Sequence, residues 1–578
     1  MNNPVLPHSL SHPDVKIDDL SKVEQLKRDS RGLRGSLSAE LAEPTSAFSE
    51  PMTQLLKFHG MYQQDNRDDR KRGADGKMQK SHSLMIRGRI PGGRLTAEQY
   101  LKLDELAGLY GQGSLRLTTR QSIQYHGVLK SDSKELLKGI RDVVLSTIAA
   151  CGDVVRNVTQ ALNPTKDPEL ALIDAIADRI SSHFEPQSGA YAEVWLDGEP
   201  VEFEEKLEPI YGAQYLPRKF KIGVTIAGNN TLDLFTNDMG IAATLKNGTI
   251  DGYYFYAGGG LGKTHRNADT YPRLASPLGW VPEKALIAVS EAIITTQRDF
   301  GDRKDRKHAR LKYLIEEQGV DWFRSEVERR SGYTFELREE PVWKNPEYLG
   351  WQEALDGTLS LGLHILAGRI KDFDGKPLRS AIREVVAQYR PDIQITADQD
   401  LILTGISKEH QKAIEAHFEG QGISLSPKGS LYHRALACPA LPTCGLAITE
   451  AERFLPSVLD TLQKPLDELG LPAPSIRMTG CPNGCARPYS AEIGLVGRSL
   501  GMYALYLGGS IEGTRLASEI TDSLKAEHLE EAGRMLFSAW KQERIHADEA
   551  FGDFAHRKGT QALQELLSPL LKAPVRAE

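Results

Sequence analysis

SLRLTTRQSIQYHGV (114–128) and DIQITADQDLILTGI (392–406) are two versions of one segment. Thr118, Gln121 and Gly127 of the first fall on Thr396, Gln399 and Gly405 of the second at one constant offset. Upstream, RGRI (87–90) echoes AGRI (367–370), each followed by a turn and a helical segment. A second echo comes in the same order: DMGIAA (238–243) with YYFYAGGGLGKT (253–264), against EIGLVG (492–497) with YALYLGGSIEGT (503–514). Units this long are not solenoid repeats. The chain reads as a duplication, each copy built from a small unit and a larger one.

The copies differ in their chemistry. If 114–126 runs as one strand, its period of two puts Arg116, Thr118, Arg120, Ser122, Gln124 and His126 on one face. The corresponding positions of the second copy include Gln394, Asp398 and Asp400. The first copy thus keeps a cationic face. Four of the five cysteines, Cys438, Cys444, Cys481 and Cys485, lie in the second copy. Ahead of the quoted segment, LMIRGRI (84–90) reads as a strand, Pro91-Gly92-Gly93 as a turn and Thr96 to Tyr110 as a helix. The first fifty or so residues are polar and broken by Pro4, Pro7, Pro13, Pro44 and Pro51, an arm that wraps or docks, with a short helix expected from Leu20 to Leu33.

The 578 residues amount to about four domain-sized units at roughly 150 residues each. A net charge of −7 argues against a general nucleic-acid or membrane-surface binder, which would be basic. With 40% hydrophobic and 26% charged residues the composition is that of a folded protein. No apolar run is long enough to span a membrane, and the N-terminus has no basic stretch leading into an apolar one. Five cysteines are too few and too odd for a disulfide framework. The expectation is a soluble, cytosolic, multi-domain protein.

Cys438 and Cys444 are spaced C-x5-C in ACPALPTCGL, and Cys481 and Cys485 are spaced C-x3-C in TGCPNGCARP. Four thiolates suit an iron–sulfur cluster or a structural zinc, although C-x5-C fits zinc less well. Buried inert thiols are the remaining reading. Pro439, Pro442, Pro482 and Gly484 make both loops turn sharply, as a chain wrapping a compact inorganic group must. Thr449 and Glu452 have capping-box spacing, with Pro456 expected to end or kink the helix they start. Cys151, alone in AACGDVV, reads as an inert buried thiol.

TGCPNGCARP followed by AEIGLVGR resembles the signature of the siroheme-containing sulfite and nitrite reductases. FHGMYQQDNRD (58–68), RLTTRQSIQYHG (116–127), RNV (156–158), YLPRKFK (215–221) and FGDF (551–554) are similar too, so the resemblance runs from about residue 30 to about 555. Within the family the chain looks most like the hemoprotein subunits served by an NADPH-oxidising flavoprotein that carries FAD and FMN. ACGDVVRNV and LRLTTRQ look equally like the ferredoxin-dependent branch, while FHGMYQQD and the lack of a plastid-type leader favour the NADPH type. The resemblance implies an α+β fold of two pseudo-symmetric halves, each with a ferredoxin-like small unit and a larger α+β unit, with siroheme at their junction. The expected division is an arm at 1–75, the first ferredoxin-like unit at 76–150, a large unit bearing the substrate cations at 151–340, the second ferredoxin-like unit at 341–430, and a cluster-bearing unit at 431–578.

It also implies siroheme coupled to a [4Fe–4S] cluster through a shared thiolate. Cys485 would ligate both, with Cys438, Cys444 and Cys481 on the other cluster irons. The reaction implied is six-electron reduction of sulfite to sulfide for cysteine biosynthesis, with nitrite reduction the nearest alternative. Siroheme's eight carboxylates and an anionic substrate call for clustered Arg and Lys, which would be destabilising without those anions. The substrate cations carry over onto Arg87, Arg156, Lys219 and Lys221. Arg keeps its proton and would clamp, whereas a desolvated Lys can deliver one. Lys219 and Lys221, two apart, would point to one side of a strand with Phe220 opposite. Arg116, Arg120 and His126 are the expected siroheme contacts.

Two segments are set aside. RKDRKHARLK (303–312) reads on composition as a solvated helical face or docking patch. AGGGLGKT (257–264) fits the loose phosphate-loop pattern, but the polar HRNADTYPRLASP that follows is no helix to hold phosphate. No dinucleotide-binding glycine motif appears, so electrons must come from a partner. A zinc-stabilised interaction or RNA-binding protein is the rival of another class, and the acidic charge and absence of aromatic-rich basic motifs argue against it.

Overall fold

A computed structural model of the chain describes residues 15–571, except position 75 and the stretch 189–207, where only the paired strands Trp195–Leu196 and Glu199–Pro200 are placed. The beginning of the expected arm, with Pro4, Pro7 and Pro13, lies outside the described residues. Among those residues no helix is long and apolar enough to cross a membrane.

The segment 114–128 is a hairpin rather than one strand. Leu115–Leu117 and Ile123–Val128 are joined by a turn in which Gln121 N donates to Thr118 O (2.9 Å) and Thr118 N to Ser122 O (2.9 Å). Asp392–Ile395 and Leu401–Ile406 repeat it, with Gln399 N to Thr396 O at 3.2 Å and Thr396 N to Asp400 O at 2.9 Å. Gln121 and Gln399 both take left-handed φ, 50° and 70°. The Thr and Gln that reveal the duplication are therefore turn residues. Polar positions flanking a tight turn keep the alternation going through it, so the bend is invisible to a period of two. Arg116 sits opposite Gln124 across the hairpin, and Arg120 stands in the turn, so no single cationic strand face exists.

Each hairpin is the centre of a five-stranded antiparallel sheet that borrows its last strand from the other copy. The first runs Met61–Asp65, His82–Arg87, Ile123–Val128, Leu115–Leu117 and then Arg369–Ile370. The second runs Gly350–Glu353, Leu359–Leu363, Leu401–Ile406, Asp392–Ile395 and then Arg94–Leu95. The borrowed strands leave equivalent turns, Pro91–Gly93 and Leu366–Gly368, in which Gly92 and Ala367 have φ 63° and 52°, and Gly93 and Gly368 have φ 70° and 71°. The structural partner of LAGRI (366–370) is therefore PGGRL (91–95), not RGRI (87–90). A shared tetrapeptide misleads where the turn sets the register. The helix Ala97–Tyr110 then begins from a Thr96–Gln99 capping box.

The larger units also match. Thr159–Gln160, Ile222–Ile226 and Met239–Lys246 pair in parallel, followed antiparallel by Thr249–Ala257 and Ser276–Pro282. Ala435–Ala437, Ile476–Thr479, Ile493–Ser499, Met502–Leu507 and Ser518–Lys525 reproduce that order and those directions. Their central strands are buried residue after residue, as in a sheet covered on both faces. One apolar core runs through both small units and the first large one, and a second fills the cysteine-bearing unit.

Two local expectations change. Thr449 caps no helix: the helix is Leu455–Leu469, and Pro456 sits in its first turn, where a missing N–H costs nothing. The arm's helix is Lys22–Asp29, stopped by left-handed Arg31, Gly32 and Leu33, and it buries Glu24 and Lys27 completely.

Candidate active site: unpaired cations beside four thiols

The adjacent parallel strands Ala435–Ala437 and Ile476–Thr479 end side by side, and their next turns carry Cys438 and Cys481. Gly480 N reaches Cys438 Sγ (3.4 Å), and Asn483 Nδ2 reaches Cys481 Sγ (3.5 Å). Gly480 allows this close approach, because a Cβ there would lie 2.5 Å from Thr449 O. Cys444 is half-buried in a loop clamped by Arg67, whose N donates to Pro442 O (3.2 Å) while its guanidinium donates to Ala447 O (2.7 Å) and Gly445 O (2.8 Å). Cys485 is exposed, and Thr119 Oγ1 of the first hairpin holds its carbonyl at 3.1 Å.

Burial, then the Cys485 sulfur, push the Cys438 thiol well up and the Cys481 thiol to about 12, and Cys444 rises for the same two reasons. The four sulfurs thus feel one another. Yet among the described residues no three His, Cys, Asp or Glu side chains are drawn tight enough for a single metal ion. Tetrahedral zinc needs its sulfurs about 2.3 Å from one point. Two of the thiols already accept N–H groups, as the sulfurs of an iron–sulfur cluster commonly do.

Lys219 of the first half lies within electrostatic reach of Cys485, and the other expected cations are Arg87, Arg156 and Lys221. Arg87 Nη1 donates to Cys151 Sγ (3.1 Å), and with the Gln124 amide turned so that its oxygen faces the guanidinium, Nε donates to it at 2.9 Å. Arg156 donates Nε and Nη2 to Gly152 O (3.2 and 3.1 Å) and hydrogen-bonds Tyr62. Lys219 and Lys221 flank Phe220, which is buried and bridged to Val155. Burial first, then Arg156, Arg310 and Arg218, lower Lys219 to about 7, against the pull of the Cys485 sulfur. Burial, then Lys219, Arg120 and Arg310, hold Lys221 well below the usual lysine range. Among the described residues no carboxylate makes an ion pair with Arg87, Arg120, Arg156, Lys219 or Lys221. Basic groups this crowded, with no carboxylate paired to them, are held in a costly arrangement that a bound anion would relieve.

The expected siroheme contacts divide. Arg116 is spent on protein: Nε donates to Glu452 Oε2 (2.9 Å), Nη1 to Leu117 O (2.7 Å) and Nη2 to Ala437 O (2.8 Å). Arg369 meets the same Glu452 from the borrowed strand at 2.7 and 3.1 Å. Arg116 thus ties the hairpin to the cysteine-bearing unit. Arg120 likewise gives both terminal nitrogens to Asn237 Oδ1 (2.5 Å), Asn157 O (2.5 Å), Ile222 O (2.9 Å) and Thr159 Oγ1 (3.3 Å), leaving only a buried Nε without a partner. His126 is buried with Nδ1 unpartnered, and burial, then Arg369, lower it to about 3, so it is neutral.

The run 303–312 is not a solvated face. Arg303, Arg310 and Lys312 are buried, and only Lys304, Asp305 and Lys307 of the run are exposed. Nor is 257–264 followed by a helix: Lys263 reaches Tyr506 and Glu519 instead. Sequence reading passes over Tyr62, Thr119 and Arg67 and takes Gln124 for a strand-face residue and Glu452 for a cap, because each acts through a partner far along the chain, hundreds of residues off for Thr119, Arg67 and Glu452. Cys151, read as inert, touches Arg87.

The family described as nitrite and sulphite reductase 4Fe-4S domain matches residues 176–335, and the nitrite/sulfite reductase ferredoxin-like half domain matches residues 77–143 and 352–420. The chain is 44% identical to a sulfite reductase [ferredoxin] of Synechococcus elongatus, over 96% of this chain and 92% of that one. It is 43% identical to a sulfite reductase [NADPH] hemoprotein beta-component of Myxococcus xanthus, over 93% and 97%. The solved Mycobacterium tuberculosis NirA protein superposes with TM-score 0.77 at 22% identity, over 94% of this chain and 97% of that one, which shows a shared fold.

Proposed function

The chain belongs to the nitrite and sulphite reductase family, and we propose that it reduces sulfite to sulfide in the assimilatory supply of sulfur for cysteine. The observation that carries this reading is that no carboxylate pairs with Arg87, Arg156, Lys219 or Lys221, while Lys219 feels the Cys485 sulfur. Siroheme and a [4Fe–4S] cluster are the family's cofactors. Cys438, Cys444, Cys481 and Cys485 would hold the cluster, with Cys485 shared, and together the two groups supply electrons and an iron where sulfite binds.

The chain's own residues handle charge and protons. Hydrogen sulfite, six electrons and six protons give HS⁻ and three waters. Arg87 and Arg156 stay charged throughout, so they hold the oxyanion and draw electron density from its oxygens. Lys219, lowered to about 7, holds a proton it can release near neutrality. Lys221 stands beside it as a second donor. Each oxygen lost as water needs two protons.

A flavoprotein that oxidises NADPH is the electron donor in this reading, supported by relatives such as the Myxococcus xanthus hemoprotein component. The Synechococcus elongatus relative favours ferredoxin as the second candidate. A cytoplasmic setting agrees with five free thiols. The test is turnover of the cofactor-loaded protein with reduced methyl viologen. Stoichiometric sulfide from sulfite is expected, and preferential conversion of nitrite to ammonia would overturn the substrate. Adding a flavoprotein reductase with NADPH, or reduced ferredoxin, in place of the dye decides the donor.

A further inference from the structure

The glycine loop 257–264 and the buried run 303–312, neither absorbed by the reaction above, meet at one carboxylate. Asp238 is completely buried and accepts the backbone N–H of Lys221 at 2.9 Å. Arg310 grips the same carboxylate with both arms of its fork, Nε to Oδ1 at 3.1 Å and Nη2 to Oδ2 at 2.6 Å. The glycine loop cradles that arginine. Gly259 O accepts Arg310 Nη2 at 3.1 Å, and a Cβ on Gly260 would lie 2.7 Å from the guanidinium carbon. Lys312 Nζ ties down the loop through Gly260 O (3.0 Å) and Gly262 O (2.9 Å).

The second half shows what this device adds. There Glu492 accepts Ser475 N at 2.8 Å, Ile493 N donates to Ser475 O, and Gly508 N donates to Glu492 O. In the first half Met239 N donates to Lys221 O, and Gly258 N donates to Asp238 O. The acid-to-backbone tie is thus common to both copies. The remaining Glu492 oxygen takes a backbone N–H, from Gly552 at 2.9 Å, whereas Asp238 takes Arg310. The difference coincides with a lysine in place of Ser475. An acid beside a lysine is its natural counter-ion, and Asp238 does lie within electrostatic reach of Lys221.

The geometry points to Arg310 as a positioning residue that occupies Asp238, so that Asp238 holds the Lys221 backbone without pairing with the Lys221 side chain. This rests on the reading that Lys221 binds the anionic substrate. Arg310 touches no substrate. It keeps a lysine free for one by saturating the carboxylate that would otherwise pair with it.

The test is sulfite affinity of the cofactor-loaded protein, measured by calorimetry alongside turnover and a thermal melt. Arg310→Met leaves Asp238 free to turn on Lys221, and binding weakens by at least about tenfold. Asp238→Asn/Arg310→Met removes the surplus acid yet keeps an amide oxygen for Lys221 N, and affinity returns to within about threefold of the parent. A merely structural arginine predicts the opposite, a double variant no better than the single one. Because the double variant buries no lone charge, it keeps the question open should the single one fail to fold. Lys221→Met runs in parallel. Undiminished affinity there overturns the reading of Lys221 itself, whereas loss there without rescue in the double variant overturns the role of Arg310.

Discussion

Lys219 owes its chemistry to crowding. Its lowering to about 7 comes from burial, then from Arg156, Arg310 and Arg218. Bound carboxylates would raise it again, so the alkaline limb of kcat/KM for sulfite is expected between about 7 and the lysine reference of 10.5. The protonated form is the active one, and activity falls as pH rises through that limb. Lys219→Arg should abolish the limb, and Lys219→Met should cost roughly 10²–10⁴ in kcat/KM. Asp153 shows the reverse sign. Burial opposes its ionisation, but Arg306, Lys27 and Arg218 outweigh it and hold its carboxyl well below the ordinary range. Its contribution to stability is therefore complete above the ordinary carboxylate range and lost as pH falls through its depressed value. Asp153→Asn strands Arg306 (2.9 Å) and Arg218 (3.8 Å), while Lys27 keeps Glu24, and should lower unfolding free energy by about 3–5 kcal/mol at neutral pH in a denaturant titration. The four cysteines stand out in the sequence by type and spacing, whereas the lysine pair entered only through the family resemblance. The sequence hid Glu452, Tyr62 and Asp238, because a single acid or phenol gains meaning only from the Arg or Lys opposite it.

Among the elements, the turns decide more than the strands. Gly93 and Gly368 sit with left-handed φ where the chain leaves one copy for the other, and neither has room for a side chain. A Cβ on Gly93 would lie 2.6 Å from Ile395 O, and one on Gly368 would lie 2.6 Å from Leu117 O. Gly93→Ala or Gly368→Ala should each cost roughly 1–3 kcal/mol, read as a lower thermal midpoint, with the paired hairpin losing amide-exchange protection first. A nearby alanine substitution with ordinary φ should do neither. The helix Ala97–Tyr110 was legible to within a residue, since Thr96 and Gln99 form a capping box. The Thr449–Glu452 pair has the same spacing, but there the acid turns to Arg116 and Arg369 and no helix forms. Spacing names a possible cap, and long-range charge decides whether it is used. The basic run 303–312 failed for the same reason, because its buried partners Glu24 and Asp238 are far off in sequence.

For the whole molecule, the duplication was legible and its interlocking was not. Matched segments reveal two copies, but nothing in either says that each lends a strand to the other. Expressed alone, residues 1–340 or 341–578 would each leave a small sheet lacking its last strand and a bare edge open to aggregation. Neither piece should give a monomeric folded product by size-exclusion chromatography and circular dichroism, and a folded, stable half would contradict the exchange. Two separate chains trading arms in this way would depend on concentration, coming apart on dilution and re-forming by collision. Here the second arm is tethered to the first, so its local concentration is fixed by the chain itself. The junction between the halves is then as durable in a dilute cell extract as in a crowded cell. Only one of the two related surfaces had to keep its lysine, and the other was free to become the wall that holds the thiols.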